Sequence, residues 1–301
     1  MELRHLRFFV AVAEEGSLTT AAEKRLHTAQ PSLSRQIRDL EREVGAQLFT
    51  RSARGVELTP SGRAFLDHAR LALAQVEAAG AAARRAAEPA KQSFALGFLT
   101  GQEMGWLPEA MHILRDELPS IDVTVSSHTS PALADALMRG KLDLAFMRRE
   151  ANMLDIAYRL IVSEPLVAVM PSDHPLAAQS EVTLAQVARE PFIQMSQTAP
   201  VLRQIITEAF RDAGLTMRCE RTIDNLGMAV SLVASTRGLT LLPAYAKNFL
   251  TWSVTSRPVS GTGPTIDLVI GYNKINKSPV LKLFLSRVED LITRVAGRRD
   301  S

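Results

Sequence analysis

The 301-residue sequence contains a single cysteine and no long apolar run. Cys219 alone cannot form an intrachain disulfide or a thiolate metal site, which suits a reducing compartment. A membrane-spanning helix needs about 18 consecutive apolar residues, and no stretch approaches that length. Residues 1–5 lack the apolar run of a secretory signal. We therefore expect a cytoplasmic protein with no membrane partner.

Common enzyme motifs are also absent. The sequence has no Gly-x-Ser-x-Gly, His-Glu-x-x-His or phosphate-loop pattern, and its six histidines lack the pairing of metal ligands. Residues 261–264 are glycine-rich, but no helix follows them on which a phosphate could lie. The expectation is a protein that is not an enzyme and that uses no metal and no other cofactor.

Neither sign of charge is in large excess, since 35 Lys and Arg face 32 Asp and Glu, for a net charge of +3. Such a balance permits an anionic partner without indicating one. Within residues 1–70 the acidic residues nearly offset the arginines. Any contact with DNA must therefore come from local geometry rather than from a diffuse positive field.

Residues 1–59 predict three short helices and a β-hairpin. Apolar residues recur at helical spacing from Leu6, Leu18 and Leu33. Pro31 is tolerated in the first turn of the third helix, and Thr28 is available there as a cap. The hairpin is predicted from residues 48–51 and 56–59, which flank a turn that carries basic side chains.

The third helix has a basic face opposite its apolar stripe, with Ser34 on the flank. Similar bundles often bind nothing, but the hairpin and the capped helix behind it favour a winged helix-turn-helix that binds double-stranded DNA. Gln30, Ser34 and Arg35 can address base edges, whereas the other polar residues suit backbone contacts. The predicted DNA-binding residues are Gln30, Pro31, Ser32, Ser34, Arg35, Arg38, Arg51 and Arg54.

A long helix is predicted from Thr59-Pro60 to Pro89, because a capping residue followed by proline is a strong helix start. Its length would be roughly 40 Å at 1.5 Å per residue. Apolar and small residues alternate along it at three- and four-residue steps, as in a coiled-coil seam. We interpret residues 60–90 as a dimerisation linker whose seam includes Leu66, Leu73 and Val76.

From residue 91 onward, short β runs alternate with helical patterns, which predicts α/β structure with crossover helices. Two lobes with a cleft between them are expected. Lobe I comprises residues 91–163 and 266–301, and lobe II comprises residues 164–265. The return of the last strand, 266–272, to the first lobe is an inference.

A long ordered set of segments matches a known pattern in the N-terminal region: residues 3–9, 16–18, 21–22, 30–37, 40–41, 45, 48–49, 51 and 58–62. On these residues the region resembles the LysR-type transcriptional regulators. The resemblance implies a periplasmic-binding-protein-like effector domain, so it covers essentially the whole chain. It departs from the commonest spacing by one added residue near Arg25, for which we expect an adjusted end of the second helix and an undisturbed recognition helix.

This resemblance further implies a homotetramer made of two DNA-binding dimers, a small effector in the cleft, and regulation through DNA bending and contact with RNA polymerase. It is tightest to regulators of aromatic-acid catabolism, of the phenylpropionate and benzoate type. An aromatic carboxylate is thus the expected effector.

Candidate effector contacts lie where strands end and helices begin, because free backbone N–H groups there bind anions. In relatives that sense aromatic acids, the corresponding turns hold the effector carboxylate. Arg148 could complete a carboxylate site, although capping and surface ion pairing are equally plausible roles. The predicted effector-binding residues are Thr100, Gly101, Thr129, Ser130, Arg148, Ser196 and Thr198.

A second interpretation belongs to another class of protein. A cytoplasmic solute-binding or enzymatic two-lobed α/β protein with an accessory N-terminal bundle would show the same cleft. Turnover, or ligand binding without DNA affinity, would distinguish it from a ligand-controlled regulator.

Overall fold

The computed structural model describes residues 1–52, 55–87, 93–119, 121–151, 153–261 and 263–299. The chain divides into two compact units, Met1–Ala87 and Glu88–Ser301. The first unit contains one hydrophobic core and the second contains two. In the described ranges we find no helix with the length and apolar character needed to cross a membrane.

The N-terminal unit is a winged helix followed by a long helix. Ser17 caps the second helix by accepting a hydrogen bond from the N–H of Thr20. The two strands pair antiparallel with Ser52 opposite Gly55, which is the expected hairpin. The elements are α1 Leu3–Glu15, α2 Leu18–Thr20, α3 Gln30–Val44, β1 Phe49–Ser52, β2 Gly55–Leu58 and α4 Pro60–Ala87.

The helical segment that α2 begins ends in a π-helical turn, Ala21–Leu26. The N–H of His27 bonds to the carbonyl of Ala22, and His27 leaves the turn in the left-handed conformation, with φ 47° and ψ 47°. A π-helical turn is how a helix absorbs one added residue. Since α3 follows as an uninterrupted α-helix, the expectation of a local adjustment before an undisturbed recognition helix is confirmed.

The start of α3 differs from the prediction in its cap. Its N-cap residue is Ala29, and no side chain accepts a hydrogen bond from the first turn. The prediction that Thr28 caps α3 is wrong, because extended Ala29 separates Thr28 from the helix. Pro31 reduces the cost, since it has no N–H that would need a partner.

Helix α4 begins where the sequence predicts, because the hydroxyl of Thr59 accepts the N–H of Gly62 at 2.9 Å. Its 28 residues give a length of about 42 Å. The predicted seam residues, however, lie in two environments. Leu66 and Leu73 pack against the core of their own winged helix, whereas Val76 is 39% exposed. Leu66 and Leu73 thus contribute to the core of the N-terminal unit, and the role of the three residues in a dimer seam stays a prediction.

Lobe I of the C-terminal unit is built around the core of residues 94–161 and 268–295. β3 pairs in parallel with β4 and β5, and β11 returns antiparallel to β5, which confirms the inferred return of the last strand. Its elements are β3 Ser93–Leu99, α5 Glu103–Glu117, β4 Asp122–His128, α6 Ser130–Met138, β5 Leu144–Met147, the first part of β6 Ile156–Pro171, β11 Thr265–Asn273, α10 Pro279–Ser286 and α11 Val288–Arg299.

Lobe II surrounds the core formed by residues between 166 and 266. The second part of β6 pairs antiparallel with β9 and β10, and β7 pairs in parallel with β8. Its other elements are α7 Leu184–Ala188, β7 Pro191–Met195, α8 Pro200–Asp212, β8 Arg218–Ile223, α9 Leu226–Thr236, β9 Thr240–Pro243, β10 Val254–Pro258 and the 3-10 turns Pro175–Ala178 and Ala244–Phe249.

The 16-residue strand β6 joins the lobes. Nine of its first ten residues pair with β11 in lobe I, with a bulge at Ile161, and the strand then continues into the sheet of lobe II. Only the second part, residues 166–171, is predicted from the sequence. Residues 279–299 form two helices and not one, since Arg287 interrupts them with non-helical backbone (φ −101°, ψ 5°).

Candidate functional site

The outward face of α3 carries the predicted recognition residues. Pro31, Ser32, Arg35 and Arg38 are exposed and Gln30 is half-buried. The Nε of Arg38 donates to the backbone carbonyl of Ser34 at 3.3 Å, which fixes part of its stem along the helix. An arginine row with free planar ends suits phosphate and guanine contacts.

Ser34 does not belong to this face. It is only 8% exposed, because its flank position turns it toward the core of the winged helix. The assignment of Ser34 to base contact is therefore corrected. Arg54 and the side chain of Arg51 lie outside the described residues, and their contacts stay a prediction.

Carboxylates that the sequence analysis did not single out hold this unit together. Glu14 of α1 bonds to Arg25 of the π-helical turn and to Arg70 of α4. Burial alone would raise the pKa of Glu14, but hydrogen bonds from Arg70 and Arg25 outweigh it and lower that pKa. Glu41 of α3 accepts the N–H groups of Leu48 and Phe49, so it anchors the hairpin to the recognition helix.

A cavity in the C-terminal unit lies where the ends of strands meet the starts of three helices. It has about 660 Å³ of empty space, a volume that includes open solvent. The first residues of α6, α8 and α9 contribute to its wall. No side chain caps α6 or α8, so their positive N-terminal ends face the cavity without a capping side chain.

Five of the seven predicted effector-binding residues line this cavity, and two do not. Gly101 has φ +93°, and a Cβ there would lie 2.9 Å from the ring of Tyr245, so no larger residue fits. Ser196 is occupied elsewhere, because its hydroxyl donates to Asp224 and lies 3.0 Å from that of Thr198. The lining residues are Thr100, Thr129, Ser130, Arg148 and Thr198.

Arg148 is the one arginine in the described cavity wall, and it is not an exposed ion-pair partner. It is 4% exposed, and its Nη2 bonds to Glu164 at 3.0 Å. The hydroxyl of Ser130 accepts the backbone N–H of Arg148 at 2.9 Å. Its Nη1 is buried without a hydrogen-bond partner. The guanidinium is thus held in place by Glu164 beside the cavity.

Two further residues complete the surroundings of Arg148. The guanidinium carbon lies 6.0 Å from the ring centroid of Tyr245, and burial raises the pKa of the Tyr245 phenol to about 12. Tyr245 therefore stays neutral, and its hydroxyl donates to the carbonyl of Thr100 at 3.3 Å. Glu164 and Tyr245 lie far from Arg148 in sequence, and no motif marks them.

The wall also has carboxylates and apolar side chains. Glu150 lines the cavity, and burial raises its pKa to about 7. Asp224 lies at the start of α9. Met195 lines the cavity, while the neighbouring apolar residues Phe98, Met147 and Phe192 are fully buried in the lobe cores.

Two family models match the chain. "LysR substrate binding domain" matches residues 87–292, and "Bacterial regulatory helix-turn-helix protein, lysR family" matches residues 3–63. The chain belongs to the LysR family. It is a DNA-binding transcriptional regulator with an effector-binding domain and not an enzyme. The N-terminal bundle is therefore the DNA-binding domain, and the interpretation as an accessory bundle is set aside.

Named relatives and solved structures agree with this membership. The Hca operon transcriptional activator HcaR of Escherichia coli K12 is 38% identical over 301 residues, which are 99% of this chain and 100% of HcaR. BenM of Acinetobacter baylyi is 31% identical over 281 residues, 92% of each chain. The full-length BenM structure matches with a TM-score of 0.60 over 100% of this chain and 98% of that chain, at 29% identity.

A structure of full-length CbnR with its target DNA matches over 97% of this chain and 100% of that chain, with a TM-score of 0.58 and 25% identity. The fold expected from the sequence, a winged helix-turn-helix followed by a two-lobed α/β domain, is thus confirmed.

Proposed function

We propose that this LysR-family regulator is controlled by a small carboxylate, most suitably an aromatic one, bound in the cavity of its C-terminal unit. The observation that carries the proposal is the buried guanidinium of Arg148, whose Nη1 lacks a partner. A ligand carboxylate would satisfy that nitrogen and meet the N-terminal ends of α6 and α8. The resemblance to regulators of aromatic-acid catabolism and the apolar wall near Met195 support an aromatic ligand.

Calorimetric titration of the full chain with benzoate and with 3-phenylpropionate tests this proposal. We expect binding by the wild type and a loss of roughly tenfold or more in Arg148→Met. Because that change leaves the carboxylate of Glu164 buried without its cation, with the hydrogen bond from Gln102 remaining, Arg148→Met with Glu164→Gln serves as a second variant. Arg139→Ala, an exposed arginine after α6, is the control. Equal affinity in all proteins would contradict the proposal.

We propose that α3 reads double-stranded promoter DNA through Gln30 and Arg35, while Pro31, Ser32, Arg38 and the wing residues Arg51 and Arg54 contact or adjoin the backbone. Retardation of the chain's own upstream DNA tests this division. Arg35→Ala should weaken specific binding by about 10- to 100-fold.

Arg38→Ala should weaken binding to specific and unrelated DNA alike and lower its salt dependence. Arg42→Ala, on the last turn of α3, is the matched control. Unchanged retardation by Arg35→Ala would remove its recognition role.

We further propose that the chain acts as a homo-oligomer, as a dimer of dimers, with the exposed part of the α4 stripe as one contact. RNA polymerase is a partner wherever the regulator activates. Val76→Glu tests the α4 contact better than Leu73→Glu, because Leu73 also packs in the winged helix. A smaller mass by light scattering is expected, and an unchanged mass would contradict the assignment.

A further inference from the structure

We propose that the effector carries a hydrogen-bond donor, a hydroxyl or amino group, in addition to its carboxylate, and that Glu150 is the residue that selects for it. This rests on the proposed function, since Arg148 is taken to hold the carboxylate. The ligand class is therefore the hydroxy- or amino-substituted carboxylic acids.

The geometry of Glu150 carries the proposal. Its side chain lines the same cavity as Arg148. Its Oε1 is buried and has no hydrogen-bond partner. A buried carboxylate oxygen without a donor is costly, because it has lost water and gained nothing in return. A donor on the ligand would remove that cost only in the bound state.

The nearby polar groups are committed elsewhere. The Nη2 of Arg148 is paired with Glu164. Arg149 lies over the ring of Tyr158 at 5.6 Å from its centroid. Asp224 accepts the hydroxyl of Ser196. None of these groups donates a hydrogen bond to Oε1 of Glu150, and a ligand in the cavity that Glu150 lines could bring the missing donor.

The protonation behaviour of Glu150 agrees with this reading. Burial raises the pKa of its carboxyl to about 7, and no nearby positive charge offsets the effect. The ionised carboxylate is thus available near neutral pH but poorly stabilised. A ligand O–H or N–H would stabilise it, as a hydrogen bond to a charged acceptor is stronger than a neutral one.

Tyr158 is the alternative partner inside the protein. Its hydroxyl is buried next to Glu150. Burial and the charge of Glu150 raise the Tyr158 pKa, against a hydrogen bond with the Glu150 backbone that lowers it. Tyr158, however, does not line the cavity. Tyr158→Phe therefore serves as a matched variant that removes this hydroxyl and leaves the cavity wall unchanged.

The test is calorimetric titration of the full chain with benzoate, 4-hydroxybenzoate, 3-hydroxybenzoate, 4-aminobenzoate and 4-methoxybenzoate. 4-Methoxybenzoate adds bulk without a hydrogen-bond donor. 4-Aminobenzoate distinguishes a preference for N–H donors from a preference for O–H donors. We expect the wild type to prefer at least one donor-bearing acid over benzoate and 4-methoxybenzoate by roughly tenfold or more.

The variants decide the role of Glu150. Glu150→Met, which keeps length and removes both acceptors, should abolish the preference and bind benzoate at least as tightly as the wild type does. Glu150→Gln keeps one acceptor oxygen and should retain part of the preference, and Tyr158→Phe should retain all of it. A gain for benzoate is not expected from a merely structural role.

The outcomes separate this inference from the proposed function. If the wild type binds none of the acids, the proposed function fails and this inference with it. If the acids bind through Arg148 but the wild type does not prefer the donor-bearing acids, only this inference is overturned. The same holds if the wild type shows the preference and both Glu150→Met and Glu150→Gln retain it. Loss of the preference in Tyr158→Phe would overturn the assignment to Glu150.

Discussion

The two units of this regulator use charge in opposite ways. On α3 the arginines proposed for DNA lie on the surface, where Arg35 and Arg38 are exposed. Beside the cavity Arg148 and Glu164 are buried as a pair, with side chains 5% and 3% exposed. The proposed DNA contacts are made by exposed arginines that stay mobile in water. The proposed ligand contact is made by Arg148, whose position is already fixed in the free protein.

Exposed and buried ion pairs also differ in how much they contribute to the free energy of unfolding. Exposed ion pairs contribute about 0–1 kcal/mol, since solvent screens them. Breaking a buried pair costs several times more, because the remaining charge has neither water nor a partner. The comparison therefore predicts a graded series of effects on stability, from the cavity to the surface.

The largest effect is expected at Arg148. Arg148→Met should lower the free energy of unfolding by about 3–5 kcal/mol, because Glu164 is left buried without its cation. Urea denaturation provides the measurement. Adding Glu164→Gln should restore part of the loss. A loss below about 1 kcal/mol in the single variant would mean that the pair is as well solvated as a surface pair.

A smaller effect is expected at half-buried Glu150, and it depends on pH. Its folded pKa, about 7, lies above the ordinary value of 4.5. Its contribution to stability is thus fully present below pH 4.5 and is lost as the pH rises through 7. Relative to Glu150→Gln, the wild type should lose about 1–2 kcal/mol between pH 5 and 8, less than full linkage because solvent reaches the carboxyl.

Thermal melting of both proteins across this pH range measures the difference. If the difference in stability between the wild type and Glu150→Gln does not change with pH, the folded protein does not shift the pKa of Glu150. The carboxyl would then behave like the exposed charges of the N-terminal unit.

The smallest effect is expected at Glu14, which holds Arg25 and Arg70. Its folded pKa is lowered, so its stabilisation is present above the unfolded pKa and is lost as the pH falls through the folded one. Glu14→Gln should cost about 1 kcal/mol at pH 7 and less below pH 4. Arg139→Ala, which breaks an exposed pair on α6, is the control. A cost at Glu14 equal to that at Arg148 would remove the contrast between the two units.

Much of the N-terminal unit could be predicted because its signals are local. The cap at Thr59, the position of Pro31 and the added residue near Arg25 each act within a turn or two of helix. Ser34 shows the limit, since a flank position becomes buried or exposed according to how neighbouring helices pack. The same packing divides the α4 stripe, with Leu66 and Leu73 on the core and Val76 outside.

The cavity was predictable only as a set of loop ends. Thr100, Thr129 and Thr198 could be placed there because the ends of neighbouring parallel strands meet at one edge of a sheet. The partners of Arg148 could not, since Glu164 lies on a long strand whose first part has no clear alternation, and Tyr245 lies in a short 3-10 turn.

The sequence by itself determined the family, the helical order of the winged helix and the alternation of strands and helices, because periodicity, caps and turns are local properties of the chain. Only the tertiary structure decided that Arg148 is buried with Nη1 unpartnered, that the ring of Tyr245 leaves no room for a side chain at Gly101, and that Glu150 lines the cavity with Oε1 unpartnered. These facts depend on contacts between residues distant in sequence, and burial of a charge acquires its cost only when such contacts have removed the water.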